Sequence, residues 1–436
     1  MIEHRDTRIA ATTRRWLLCA LVLVLPLHTL FVRVWVAWKP FLLLLVALAA
    51  WDVLDGIRRR SWPWHRQASV AVGVFLVVMA VSWQGEIPDT QSVRLWLALG
   101  AGALLLLVVE RAVRVDGAGR VVMRSIVWSA AAVAASAVAL SFVVIGSFGE
   151  ELVESIDAIP GVYRVAKPAY LAEGFVALTN WHQDPGYAAA WMNLWAALVL
   201  VAWSRGWGFR RWWVNALIVG GLGAGTFMTM SRTGWLGFLV AVSAAAAFLI
   251  FKDRVPATAV LRFVAASAAV AVALVSLFWI VDPPHLGADL DEEVAYRMTQ
   301  GASLGGPVEG PRGIQDTRSV VWPSYVAAFQ SNPAFGNGLG TGWGTPGVQE
   351  PHNLGLQLLG ETGIVGILGF VGLIFVVGRY GAGTIGAVAL TVVAASTFTQ
   401  TVLFEPTLWF AGALYLGRVG VVGVDSRETR ETTMQC

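Results

Sequence analysis

One of the six histidines in this 436-residue sequence, His352, stands where chemistry is expected. It lies in Pro351-His352-Asn353. Before it runs a polar, glycine-rich segment, Asn332-Pro333-Ala334-Phe335-Gly336-Asn337-Gly338-Leu339-Gly340-Thr341-Gly342, and after it an apolar stretch bearing Glu361 near its start. A neutral imidazole in that position is a natural general base. The alternative is a capping or interface histidine at a helix start, with Asn353 as the cap of the helix that follows. Glu361 falls about two and a half helical turns below His352. A lone carboxylate in hydrocarbon must be protonated or paired, so Glu361 is expected to brace the site rather than to react. The glycine run lacks the strand and βαβ context of a dinucleotide fingerprint; it is expected to form a close-packed turn whose backbone approaches the substrate.

Arg232 is the second residue of interest. Met230-Ser231-Arg232-Thr233-Gly234-Trp235 is a tight turn between two apolar runs. An arginine near a bilayer surface is costly unless paired, hydrated or used. It either snorkels to lipid phosphates or clamps a diphosphate, for which a planar five-donor guanidinium is suited. Arg318, in Asp316-Thr317-Arg318, carries the same ambiguity, since it can pair with Asp316 on a solvated face. Asp289-Leu290-Asp291-Glu292-Glu293 reads as a solvated acidic loop rather than a metal site, because no histidine or ordered scaffold accompanies it.

The elements that hold these residues are membrane helices. The chain is 56% hydrophobic and only 14% charged, with a mean hydropathy of +0.65, too apolar for a soluble globule. A membrane β-barrel would need short alternating segments, which are absent. The net charge of +3 is small and dispersed over short loops, so no nucleic-acid partner is indicated. Cys19 and Cys436 make no disulfide framework. The expectation is an all-α polytopic protein with about twelve spans: Trp16–Val32, Pro40–Leu54, Ala68–Trp83, Val93–Val109, Ile126–Ile145, Ala188–Trp203, Trp212–Met228, Trp235–Phe251, Ala259–Val281, Asn353–Val377, Ala382–Leu403 and Pro406–Gly420. The second and sixth are short for a full crossing. The basic N-terminal stretch, Arg5 to Arg15, runs into the first span without a small-residue cleavage site and reads as a retained anchor.

Arginine clusters set the orientation. They precede the first span and follow the second, fourth, sixth, eighth, tenth and twelfth, so all fall on one side, which the positive-inside rule makes cytoplasmic. Both termini are then cytoplasmic. Residues 1–281 form nine helices, 282–352 an extracytoplasmic loop with surface helices, and 353–436 the last three helices and a tail. A second long outer loop runs from Gly146 to Tyr187. The outer-side cations, including Lys39, Arg94, Arg164, Lys167, Arg232 and Arg318, are exceptions that call for a role.

These motifs carry a family signature. Phe335-Gly336-x-Gly338-x-Gly340, followed by His352-Asn353-x-x-Leu356-x-x-Leu359-x-Glu361-x-Gly363-x-x-Gly366, closely resembles the O-antigen ligase and polymerase family of bacterial envelope glycosyltransferases. Ser231-Arg232-Thr233-Gly234-Trp235-Leu236-Gly237 resembles that family's Ser-Arg turn, and Arg318 its outer-loop arginine. The resemblance spans Met230 to Gly366. It implies a GT-C-like fold in the bacterial cytoplasmic membrane and a metal-independent, inverting transfer without cofactor. The donor would be a polyprenyl-diphosphate-linked glycan, and the acceptor a hydroxyl on a glycan, lipid or protein outside the cytoplasm. Arg232 and Arg318 would hold the diphosphate, with Arg164 and Lys167 as further contacts. His352 would be the catalytic base, and Ser231, Asn353 and Glu361 would support. The loop Asn180-Trp181-His182-Gln183-Asp184-Pro185-Gly186 departs from the family's Pro-Asn pattern and leaves His182 as a competing base. A polymerase of lipid-linked repeat units and a flippase of such lipids remain as alternatives.

Overall fold

Runs of leucine, valine, alanine and tryptophan between short arginine-bearing turns become helices, because backbone inside hydrocarbon must satisfy its own hydrogen bonds. The computed structural model describes residues 2–27, 32–33, 37–84, 88, 90–145, 169–172, 175–178, 185–280, 317–340, 351–381, 384–397 and 402–419. In chain order the helices are α1 (Ile2–Val24), α2 (Pro40–Arg58), α3 (Arg66–Val81), α4 (Thr90–Arg114), α5 (Gly119–Ile145), α6 (Pro185–Ser204) and α7 (Trp212–Met228). Then follow α8 (Arg232–Phe251), α9 (Ala257–Ile280), α10 (Thr317–Ser331), α11 (Leu354–Tyr380), α12 (Thr384–Thr397) and α13 (Pro406–Leu416). Seven of these described helices are long and apolar enough to cross a membrane, and α3, α7 and the main part of α12 are shorter apolar helices. The protein is a helical, multi-pass membrane protein. Each expected span overlaps one of these helices, and α10 falls within residues 282–352.

Several boundaries need correction. The first helix runs from Ile2 to Val24 rather than from Trp16 to Val32. It stops at Leu25-Pro26-Leu27, a single 3-10 turn, because Pro26 cannot donate to the helical ladder. Val32–Arg33 instead forms β1, paired antiparallel with β2 (Ala37–Trp38). A second hairpin joins β3 (Ala169–Ala172) to β4 (Phe175–Leu178) and rests on α5, α6 and α7. The second and sixth spans are not short, since α2 covers 19 residues and α6 covers 20.

Helix α6 is apolar on every face and 94% of its spanning window is buried. A helix of that kind belongs inside a bundle, and α5, α7, α8 and α12 surround it. Trp191 and Trp195 meet edge to face at 5.1 Å, and Trp195 reaches Phe410 of α13 at 5.7 Å.

Ionic contacts gather at one end. Arg14 bonds the fully buried Asp52 at 2.7 Å and also meets Asp116, while Trp64 Nε1 donates to Asp52 at 3.2 Å. Arg111 pairs with Asp52 and Asp55 and donates to the Pro63 carbonyl. Buried charges are tolerated only when paired in this way. The His65 ring lies 5.1 Å from Tyr380, and Arg418 donates to the Tyr380 carbonyl. This arginine-rich end therefore holds Arg14 in the middle of α1, the ends of α2 and α4, the start of α3 and the end of α11.

His65 caps α3, its Nδ1 accepting from the Ala68 N–H at 3.3 Å. Burial lowers its pKa, opposed by the charge of Glu110 and reinforced by Arg114 and Arg418. A cap that accepts through Nδ1 is lost when that nitrogen is protonated. The unfolded chain takes up the proton first, so stability is present above about pH 6.5 and falls as pH drops toward the depressed folded value. The drop in Tm between pH 7.5 and 5.5 is expected to be smaller in His65→Asn, which keeps a capping oxygen. An unchanged drop would refute this role.

Candidate functional site

The glycine-rich run folds into a turn that replaces part of a helix ladder. In α11, Gly363 departs from helical geometry at φ 61°, ψ −160°. A regular helix would bond the N–H groups of Ile364 and Val365 to the carbonyls of Gly360 and Glu361. Here Ile364 N donates to the Pro333 carbonyl at 2.9 Å and Val365 N to the Ala334 carbonyl at 3.1 Å. The released carbonyls accept from the loop in turn: Gly360 O from Asn337 N at 3.0 Å and Glu361 O from Gly338 N at 2.8 Å. Four bonds between loop and helix thus stand where two helical ones would be. This corrects the expectation for the glycine run, whose backbone approach at Gly336 is made to α11.

Glu361 locks this joint. Its side chain is buried at 2% exposure; Oε2 accepts from Gly340 N at 2.9 Å and Oε1 from Gln357 Nε2 at 3.1 Å. Tyr325 of α10 points its hydroxyl at Oε1 from 3.5 Å. The carboxylate is therefore not alone, and the groups it holds are the loop, α10 and the first turn of α11. The loop is also tied to α3 and its C-terminal turn, where Trp83 Nε1 donates to Leu339 O at 3.1 Å, Gln84 Nε2 to Gly336 O at 2.9 Å, and Ser82 Oγ accepts from Leu339 N at 3.1 Å.

His352 sits at the mouth of α11. Asn353 is the N-cap, its Oδ1 accepting from Leu356 N at 2.9 Å. His352, half-buried, precedes that cap with φ 48°, a left-handed conformation that costs a non-glycine residue roughly 1–2 kcal/mol. Trp322 Nε1 of α10 donates to the Pro351 carbonyl at 2.9 Å and helps to hold the strained turn. Arg318 stands one helical turn before Trp322, so α10 brings its backbone to the neighbourhood of His352.

The Arg232 turn repeats the same local pattern. Met230 is left-handed at φ 52°, Ser231 caps α8 by accepting from Gly234 N at 3.1 Å, and Arg232 is the first helical residue. Thr229 Oγ1 accepts from Ser231 N, and Trp235 stacks on Phe227 at 5.2 Å and 11°. Asn193, buried within α6, donates to the Gly234 carbonyl at 3.0 Å and accepts from Thr226 Oγ1 at 3.3 Å. It joins three helices beneath Arg232. The sequence reading missed it, as it missed Gln357 and Tyr325; a lone amide inside an apolar run was the available signal.

Helix directions place Arg232 and His352 at the same end. Ala134 and Ala137 of α5 face Gly221 and Gly225 of α7 respectively, so the two helices run parallel. A Cβ built on Gly119, where α5 begins, would meet Val419 beside the arginine-rich end. The end of α7, and with it Arg232, is therefore at the opposite end. So is His352, because α11 runs from it to Tyr380. Lys39 and Glu405 also interact at that opposite end, where burial lowers the Lys39 pKa against the opposing charge of Glu405. Arg164, Lys167, His182 and Asp289-Glu293 lie outside the described residues.

Residues 217–371 match the family model described as O-Antigen ligase. That stretch is about a third of the chain. No curated protein matches it. The matched stretch takes in the Arg232 turn, α10, the glycine loop, the His352 turn and the joint at Gly363, and it leaves α1 to α6 outside. Its central arginine turn nevertheless depends on Asn193, which precedes the matched residues.

Proposed function

We propose that the protein is an O-antigen-ligase-like glycosyltransferase. It moves a glycan from a polyprenyl-diphosphate carrier to an acceptor hydroxyl on the outer face of the bacterial cytoplasmic membrane. The observation that carries this reading is the family domain whose first arginine turn and His352 turn lie at one end of the bundle, opposite the arginine-rich end. With twelve crossings of a GT-C-like fold, both termini face the cytoplasm and the large loop before α11 faces outward. Residues 1–281, 282–352 and 353–436 then form the helical body, the loop and the closing helices.

The acceptor oxygen attacks the anomeric carbon and its proton passes to His352. The bond from that carbon to the diphosphate oxygen breaks, and the leaving group takes the electron pair, with inversion. Arg232 and Arg318 stabilise the charge that develops on the diphosphate, so in this reading neither a metal nor a cofactor is needed. Arg164 and Lys167 are candidates for further diphosphate contacts. Acceptors of the glycan, lipid and protein classes all present the hydroxyl required.

The test uses the full chain in proteoliposomes with a polyprenyl-diphosphate oligosaccharide, following release of polyprenyl diphosphate and glycan transfer. Arg232→Ala is expected to cut transfer by about 10²-fold or more, with Arg232→Lys recovering part of it. Full transfer in Arg232→Ala would remove Arg232 from the mechanism. Movement of the carrier across the bilayer without transfer would instead identify a flippase.

A further inference from the structure

Gln357 is a buried amide that neither the fold nor the proposed chemistry has used in full. Its side chain is 1% exposed. Its Nε2 donates to Glu361 Oε1 at 3.1 Å, and its backbone N–H bonds the Asn353 carbonyl at 3.0 Å. Its Oε1 is buried and has no hydrogen-bond donor among the described residues. Flipping the amide would turn that oxygen onto an acceptor, so the carboxylate fixes which end points away. A buried amide oxygen left without a donor is destabilising, which calls for a donor that arrives in the working state.

The helix register names that donor. With Asn353 as the cap of α11, His352 is the residue before the cap and Gln357 the fourth helical residue. Side chains at these two positions meet across the first turn of a helix, the arrangement known from hydrophobic staples. A histidine acting as base needs its second ring N–H oriented by an acceptor, as metal-bound and catalytic imidazoles do. Glu361 in turn fixes Gln357, and the loop joint fixes Glu361.

We propose that Gln357 is the positioning residue for His352: its Oε1 receives the imidazole N–H when substrate is bound, completing a Glu361–Gln357–His352 relay. This rests on His352 being the base. The relay moves no proton to Gln357; it holds one ring nitrogen protonated so that the other faces the acceptor hydroxyl. Other charged or titratable groups on the packed elements are Tyr325 and Arg318 on α10 and Arg94 in the first turns of α4. All are unchanged in the variants below.

The test compares Gln357→Met, which keeps volume and removes both the acceptor and the N–H donor to Glu361, with Gln357→Glu, which keeps an acceptor oxygen and adds an acidic group. Transfer of a polyprenyl-diphosphate oligosaccharide by the full-length protein is followed against pH. Gln357→Met is expected to lower kcat about 10–100-fold with little change in KM for the donor, and to move the acid limb of the profile to lower pH. Gln357→Glu is expected to recover much of kcat and to move that limb to higher pH. Histidine 13Cε1 NMR in nanodiscs, with the His352 resonance assigned by its loss in His352→Ala, should show the same opposite displacements in its titration midpoint. Gln357→Met should also cost nothing further in a His352→Ala background. Wild-type kcat in Gln357→Met, or a loss of rate with no displacement of either limb or midpoint, would overturn the relay. If His352→Ala itself transfers glycan at the wild-type rate, the base assignment fails; an inactive His352→Ala beside a normal Gln357→Met removes the relay alone.

Discussion

Replacing His352 with alanine is expected to lower the rate of glycan transfer by about 10²–10⁴-fold, the range for loss of a positioned general base. The protein should still fold, because the cap of α11 belongs to Asn353 and the bond from Trp322 ends on the Pro351 carbonyl. Alanine even shares the left-handed cost at this position, so backbone strain changes little between the two. The loss should fall on kcat, with KM for the donor retained, since Arg232 and Arg318 hold the diphosphate in the proposed reaction. His352→Asn is a useful companion: it accepts the left-handed backbone more readily than alanine yet supplies no base, so it should be stable and inactive. Undiminished transfer in either variant would return His352 to the role of a helix-mouth residue and make His182 the base to test.

Long apolar runs made the helices legible, and the arginine pattern marked one end of the bundle, where Arg14 and Arg111 pair with Asp52. Both signals are averages over many residues, so they survive local surprises such as the early stop at Pro26. The cap at Asn353 was also legible, because a helix start needs only one short acceptor side chain. The joint at Gly363 was not. A helix that breaks without a proline keeps its apolar periodicity on both sides, and Gly360, Gly363 and Gly366 read alike in sequence. Only Gly363 combines φ 61° with a loop carbonyl where a Cβ would stand. Glu361 was legible as a supporting group but not in its contacts, since Gly340 and Tyr325 are brought to it by tertiary folding. Asn193 and Gln357 were missed because each is one polar residue in a long apolar run. Such residues are the costly ones in a membrane and so repay separate inspection.

The second large effect concerns stability. A Cβ on Gly363 would lie 2.5 Å from the Ala334 carbonyl oxygen, 2.6 Å from its carbon and 2.7 Å from Gly336 N. All three are backbone atoms, so no side-chain rotation relieves the clash, and alanine also disfavours φ 61°. The same addition at Gly336, where φ is 66°, meets the Glu361 carbonyl carbon at 2.4 Å. Gly363→Ala should therefore force the loop off α11, exposing the N–H groups of Ile364 and Val365 and the carbonyls of Gly360 and Glu361 together. We expect a destabilisation of about 4 kcal/mol or more, the range reserved for disrupted buried networks and strained backbone. Gly372→Ala is the control on the same helix, because its Cβ meets nothing within 4 Å; alanine there should be neutral or slightly stabilising. Thermal unfolding of the two purified variants beside wild type decides the matter, and equal Tm values would show that the joint is not rigid. The consequence for activity follows from connectivity. The joint holds α10 against α11 through Glu361 and Tyr325, and α10 carries both Trp322, which bonds the His352 turn, and Arg318. Any Gly363→Ala protein that survives should accordingly lose transfer out of proportion to its distance from His352.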